Sequence, residues 1–201
     1  MDLGTLLASS WSSGISLYGV AAVLGIAGRL DWVSSPPILE EPWVIGVALV
    51  LFAIELVVDK IAVLDSAWDV AHLVIRPLGS AAMASAAPGQ TLPWPVLIGL
   101  GAVLALSSHS AKASLRLFLN ASPEPFSNVV VSALEDGLWA AVMALAIAYP
   151  KVAAVVAVVL AILSGIAAFF FYRAARAVWK KVGERRRRWR DRRVAPRPGP
   201  T

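Results

Sequence analysis

The chain has 201 residues, 58% of them hydrophobic, with a mean hydropathy of +0.72 and only 15% charged residues. A soluble domain carries about 25% charge, so a water-soluble globular fold is excluded as the first reading, and the lack of cysteine excludes disulfides, thiolate metal sites and cysteine lipidation. The formal net charge of +5 is uneven: residues 173–201 hold 12 of the 18 basic residues beside only Glu184 and Asp191, whereas the preceding 172 residues hold 6 basic and 11 acidic ones.

The first ten residues, MDLGTLLASS, lack a basic n-region, so a retained helix rather than a cleaved signal peptide is expected. The stretch SSWSSGISLYGVAAVLGIAG follows, rich in small residues that let helices approach closely, with Tyr18 as a candidate for a polar interior. Six membrane segments are predicted, at 12–32, 43–63, 67–87, 93–118, 124–149 and 151–178. The breaks between them are SSPPILEEP, LDS, PGQTLPWP, LNASPEP and Tyr149-Pro150-Lys151. Residues 152–172 contain no charge and are long enough to span a bilayer core. The apolar runs do not alternate as the strands of a membrane barrel would.

The expected fold is therefore all-α, a polytopic transmembrane helix bundle of about six membrane segments with two broken or re-entrant polar breaks, at 59–69 and 119–128. Residues 1–178 form the bundle. Residues 179–201 form a basic tail expected to be disordered. Basic residues concentrate on the cytoplasmic side of membrane proteins, so the tail is expected in the cytoplasm, and six crossings would put the N-terminus there too. Trp43, Trp94 and Tyr149 sit at predicted segment ends, where amphipathic rings favour the interface. The tail itself reads as a topology anchor attracted to anionic headgroups, and no nucleic-acid partner is expected. LDSAWD (64–69) and LNASPE (119–124) match loosely at an offset of 55 residues, as a repeat in a transporter would.

Between residues 55 and 136 lie seven acids (Glu55, Asp59, Asp65, Asp69, Glu124, Glu135 and Asp136) and four bases (Lys60, Arg76, Lys112 and Arg116). Each charge at mid-bilayer costs roughly 2.5–3.5 kcal/mol. Eleven unpaired charges would cost on the order of 30 kcal/mol, more than the roughly 5–15 kcal/mol stability of a domain. Most must pair or face a wet cavity. Glu55 and Asp59, Asp65 and Asp69, and Lys112 and Arg116 are each four residues apart and share a helix face. The acidic faces of the second and third segments are thus natural partners for the basic face of the fourth. Three acids remain in surplus, to be neutralised by protons or by a bound cation.

Asn120, Asn128 and Ser132 extend the polar set, the last two leading along one stripe to Glu135 and Asp136. Lys60, Arg76, Lys112 and Arg116 are candidates for charge pairing or gating, and His72 and His109 for a proton relay. Helix-start roles compete for Asp65, Asp69 and Glu124. Arg76-Pro77 reads as a kink or a gate. There is no GxGxxG, Walker loop, HExxH or GxSxG. No catalytic residue and no cofactor are assigned, and a metal is left open.

The segments ELVVDKIAVLDSAWDVAHLVIRPLGSA (55–81) and KASLRLFLNASPEPFSNVVVSALED (112–136) resemble the bacterial membrane family known as domain of unknown function 4126. DSAWD, IRP, NASPEP, SN and the ED pair are the most specific parts of the resemblance. It covers most of the chain before the basic tail and implies a bacterial inner-membrane protein, without implying a reaction or ligand. The expected function is a small channel or secondary transporter for a cation or a proton-coupled solute, in the bilayer and with a homo-oligomer as a further expectation. The alternatives are a non-transporting scaffold, lipid-binding or assembly protein held by structural ion pairs, and an intramembrane enzyme using a histidine with a carboxylate.

Overall fold

The computed structural model describes residues 1–119 and 125–194. They form seven α-helices: α1 (Leu3–Ser13), α2 (Leu17–Arg29), α3 (Pro42–Val58), α4 (Ala62–Ser85), α5 (Trp94–Leu119), α6 (Pro125–Ala148) and α7 (Pro150–Val194). A 3-10 turn at Pro37–Glu40 precedes α3, and there is no strand among the described residues. Prolines open α3, α6 and α7, in the first turn where a missing N–H leaves no intrahelical bond unmade.

Among the described residues three helices are long and apolar enough to cross a membrane: Trp94–Leu119, Val129–Ala148 within α6, and Pro150–Ala174 within α7. Leu17–Arg29 and Pro42–Val58 are shorter apolar helices. The distribution of residues is inverted relative to a soluble protein. Val47, Val50, Val57, Val155, Ile162 and Phe170 are exposed, while Glu55, Asp59, Asp65, Asp69, Arg76, Lys112 and Arg116 are buried. Water would penalise both halves of that arrangement, whereas lipid favours it.

The first expected segment, 12–32, is not one helix. The chain breaks at Gly14–Ser16, where Ser16 is extended and its hydroxyl caps α2 by accepting from the Gly19 amide. The break places α1 on its own at the centre of the bundle, buried over Gly4–Leu6 and Ala8–Ser13. Its small residues permit this. A Cβ at Gly4 would lie 1.8 Å from the Pro150 carbonyl oxygen. The Thr5 hydroxyl donates to Ala146 O on α6 (3.1 Å), the Ser108 hydroxyl of α5 donates to Trp11 O (2.6 Å), and the Trp11 indole donates to Ser164 Oγ of α7 (3.2 Å).

The ends of the bundle also differ from expectation. The Met1 amino group donates to Pro88 O between α4 and α5 (2.6 Å), and Pro150 abuts Gly4. At the far end of α5, Phe118 packs on Phe171 of α7. The N-terminus and the basic end of α7 therefore lie at opposite ends of the bundle, not at the shared face that six full crossings require. The reason is the break. An 11-residue α1 is about 16 Å long, half of a roughly 30 Å hydrocarbon core. The sixth segment, expected to end near 178, continues as helix to Val194, so residues 179–194 of the basic tail are helical.

Candidate functional site

The charged side chains meet where the broken α1–α2 segment abuts α3, α4 and α5. The last turn of a helix leaves unpaired carbonyls and a partial negative charge. At the end of α1, Arg76 Nη1 donates to Gly14 O (3.2 Å) and Lys112 Nζ to Ile15 O (3.4 Å). At the end of α3, Arg116 Nη1 donates to Asp59 O (3.1 Å). The opposite charge stands at the start of α2, where the Ser16 hydroxyl donates to Glu55 Oε2 (2.5 Å). Cations of α4 and α5 thus serve two helix C-termini, and an acid of α3 lies beside a helix N-terminus.

The acidic faces of α3 and α4 pair with Arg76 and with the basic face of α5. Arg76 Nη2 binds Glu55 Oε1 at 2.6 Å, and its Nη1 lies 3.5 Å from Asp69 Oδ1. Lys112 binds Asp59 Oδ2. Arg116 Nη2 binds Glu135 Oε2 of α6 at 2.9 Å, and its Nη1 lies 3.6 Å from Asp65 Oδ2. Five carboxylates thus face three cations, two too many. Glu55 has the short bonds to Arg76, and Glu135 those to Arg116. Asp65 and Asp69 are left at longer range, and they are also the acids in this network with neither oxygen hydrogen-bonded. Both are buried, Asp65 at 0% and Asp69 at 5% exposure.

The histidines occupy separate places. Arg76 Nη1 donates to His109 Nδ1 at 2.9 Å. A guanidinium has donors only, so this ring is neutral and carries its proton on Nε2. That Nε2–H is buried without a hydrogen bond of full geometry, and the ring's other polar contact is with the Asp69 backbone of α4. His72 Nδ1 donates to Trp68 O (2.8 Å), and its Nε2 meets the Tyr18 hydroxyl (3.0 Å), the donor to a neutral ring. Trp68 stacks on His72. No hydrogen bond joins the two histidines among the described residues.

Other expected members stand elsewhere. Lys60, just past the end of α3, is exposed and donates to Leu56 O of that helix (2.7 Å) rather than to an acid. Asp136 accepts from the Trp139 indole (3.4 Å) and joins none of the ion pairs. Asp65 is not a cap: the N-cap position of α4 is Ile61, and Asp65 stands in the first turn. Pro77 lies inside an unbroken α4. Asn120 and Glu124, and with them the possible repeat and the second expected break, lie outside the described residues, as does the side chain of Asn128. Among the described residues no group of three or more His, Asp or Glu is arranged to hold a metal ion.

Gly14, Ile15 and Ser16 are the members that sequence reasoning missed. Their signal was an SSGIS run inside an apolar stretch: glycine allows close approach, and serine is a preferred cap. Two of the three contribute only carbonyl oxygens, which every residue has.

The family model described as Domain of unknown function (DUF4126) matches residues 3–169. The chain belongs to this family. No curated protein and no solved structure matches it. The match takes in both halves of the α1–α2 break, all eight members of the ion-pair network and α7 as far as Phe169, and stops before the basic tail.

Proposed function

We propose that this DUF4126 protein is a small integral-membrane transporter or channel for a proton or another cation, or for a small solute carried with protons. The observation that carries the reading is the coincidence of two independent features. Charge matching leaves two carboxylates over, and hydrogen bonding leaves two carboxylates, Asp65 and Asp69, with no donor. An unmatched buried ion costs several kcal/mol. A static bundle is more stable without it, whereas a site that takes up and releases a positive species requires it. The α1–α2 break supports the same reading, because discontinuous helices whose ends point at charges are a recurring way to build substrate sites at mid-membrane.

In this proposal the protein resides in a bacterial inner membrane with the basic end of α7 in the cytoplasm. The N-terminus lies on the opposite side, α1 penetrates halfway from there, and α3 to α7 cross. The tail meets anionic headgroups, and the small body associates with further copies of itself.

A second reading, a non-transporting scaffold or lipid-binding assembly protein, is favoured by one observation: Arg76, Lys112 and Arg116 are all paired, in bonds that tie α3, α4, α5 and α6 together. Flux into proteoliposomes decides between them, with protons and a panel of monovalent and divalent cations as probes. Wild type is expected to conduct protons or one of these cations, and Asp69→Asn to lower the flux at least tenfold while remaining monodisperse. No flux for any ion from folded wild type overturns the transport reading.

A further inference from the structure

The ion-pair network is closed. All four carboxyl oxygens of Asp65 and Asp69 lack both a hydrogen-bond donor and accessible surface, and so does Asp59 Oδ1. The three cations beside them have closer partners: Arg76 is held by Glu55 at 2.6 Å, Lys112 by Asp59, and Arg116 by Glu135 at 2.9 Å. The histidines add no hydrogen bond to either acid side chain among the described residues. His109 accepts from Arg76 through Nδ1 and is neutral, and His72 lies between Trp68 O and the Tyr18 hydroxyl. Two buried negative charges are therefore unmatched by the described residues around them.

Something positive must accompany them, and the packing narrows what it can be. A hydrated ion or an organic cation needs room and polar walls. The cavity beside Asp69, about 140 Å³ between α4 and α5, has an almost wholly apolar wall. A bare metal ion needs several ligands turned towards one point, and no group of three or more His, Asp or Glu is so arranged among the described residues. A proton needs neither a cavity nor a ligand shell. It turns a buried carboxylate into a neutral group, the usual fate of a buried charge without a partner. The network also touches its surroundings at one acid: the Glu135 side chain is 13% exposed, against 0% to 6% for the other four. Glu135 shares Arg116 with Asp65, so this contact lies one residue away from an unmatched acid.

We infer that the positive species resident in this site is a pair of protons, one on Asp65 and one on Asp69, rather than a metal ion or an organic cation. The count then closes. With these two acids neutral, Glu55, Asp59 and Glu135 face Arg76, Lys112 and Arg116, three against three. The distances select the same two acids. The close pairs of Arg76 and Arg116, at 2.6 and 2.9 Å, stay ionic, and the acids that wait at 3.5 and 3.6 Å are the ones neutralised. Protons on Glu55 and Glu135 instead would weaken two charge-assisted bonds and leave Asp65 and Asp69 as ions without a donor.

The inference rests on the preceding proposal in treating the surplus as a site, and it names the cation that site holds. Its test reads occupancy, not flux. Full-length protein in lipid nanodiscs at neutral pH is studied by infrared spectroscopy, where a protonated carboxyl has a C=O band separate from those of carboxylates. Exposed acids are ionised at neutral pH and do not contribute. Wild type is expected to show the band of two such groups, Asp65→Asn and Asp69→Asn the band of one each, and the double variant none. Asp136→Asn, outside the ion pairs, is expected to leave the band unchanged. Sodium, potassium, magnesium and calcium salts should also leave it unchanged, a measurement on unaltered protein that needs no variant to fold. No band in the wild type, a band that the folded double variant retains, or one that a metal cation abolishes, overturns the inference. A wild type that conducts a metal cation and shows no band refutes the resident protons and leaves the transport reading standing. One that shows the band, loses it in the double variant and conducts nothing does the reverse.

Discussion

Arg76 is fully buried and holds Glu55, His109 and Gly14 O together, so its replacement tests the charge accounting directly. Arg76→Gln leaves five carboxylates facing two cations and is expected to cost about 3–5 kcal/mol, the usual cost of removing one partner from a buried pair. Glu55→Gln goes the other way. It removes one negative charge from a network that has two in excess, and the amide oxygen still accepts from Arg76. Its expected cost is about 1 kcal/mol, the loss of charge assistance in one bond. The double variant returns the surplus to two, so it should be more stable than Arg76→Gln alone, with a coupling of about 1–3 kcal/mol. Reversible unfolding in mixed micelles of rising SDS fraction, followed by circular dichroism, gives all three values. If Glu55→Gln costs as much as Arg76→Gln, or if the double variant is additive, the surplus is not where the ion pairs put it.

Three further substitutions probe the break, an open helix glycine and the excess acid. Gly14→Ala would put a Cβ 2.0 Å from both Ala105 O and Ser108 Oγ, so the packing must shift at a cost of about 1–3 kcal/mol. Gly46→Ala, in α3 with no atom within 4 Å of the added carbon, is expected to be stabilising by about 0.5–1 kcal/mol in the same unfolding assay. Asp65→Asn, which removes an unmatched buried charge, is expected to leave the unfolding midpoint unchanged or to raise it. A loss above about 3 kcal/mol would mean that Asp65 is a full partner of Arg116.

The helical class, the apolar exterior and most of the pairing were legible in the sequence, for one reason. Spacing of four along a helix fixes a common face whatever the tertiary fold, and a charge in an apolar chain must find its opposite. Glu55 and Asp59 on α3 therefore had to seek the bases of other helices, and Lys112 and Arg116 the acids. The same logic misplaced Lys60. Its long side chain reaches back from an exposed position to a carbonyl in the last turn of α3, and such local satisfaction leaves no mark on spacing.

What the sequence by itself determined, then, is a helical chain with an apolar outside, an acid-rich interior and a basic end, because these follow from composition and period alone. Only the tertiary structure decided that the first apolar stretch is two helices and that Met1 and the end of α7 lie at opposite ends of the bundle. It also decided that Asp65 and Asp69 are the acids left over. Those outcomes depend on backbone carbonyls at Gly14 and Ile15 and on whether a guanidinium sits at 2.6 or 3.5 Å from a carboxylate. A backbone carbonyl is the same in every residue, and a difference of an ångström between two acids on neighbouring helices is set by packing.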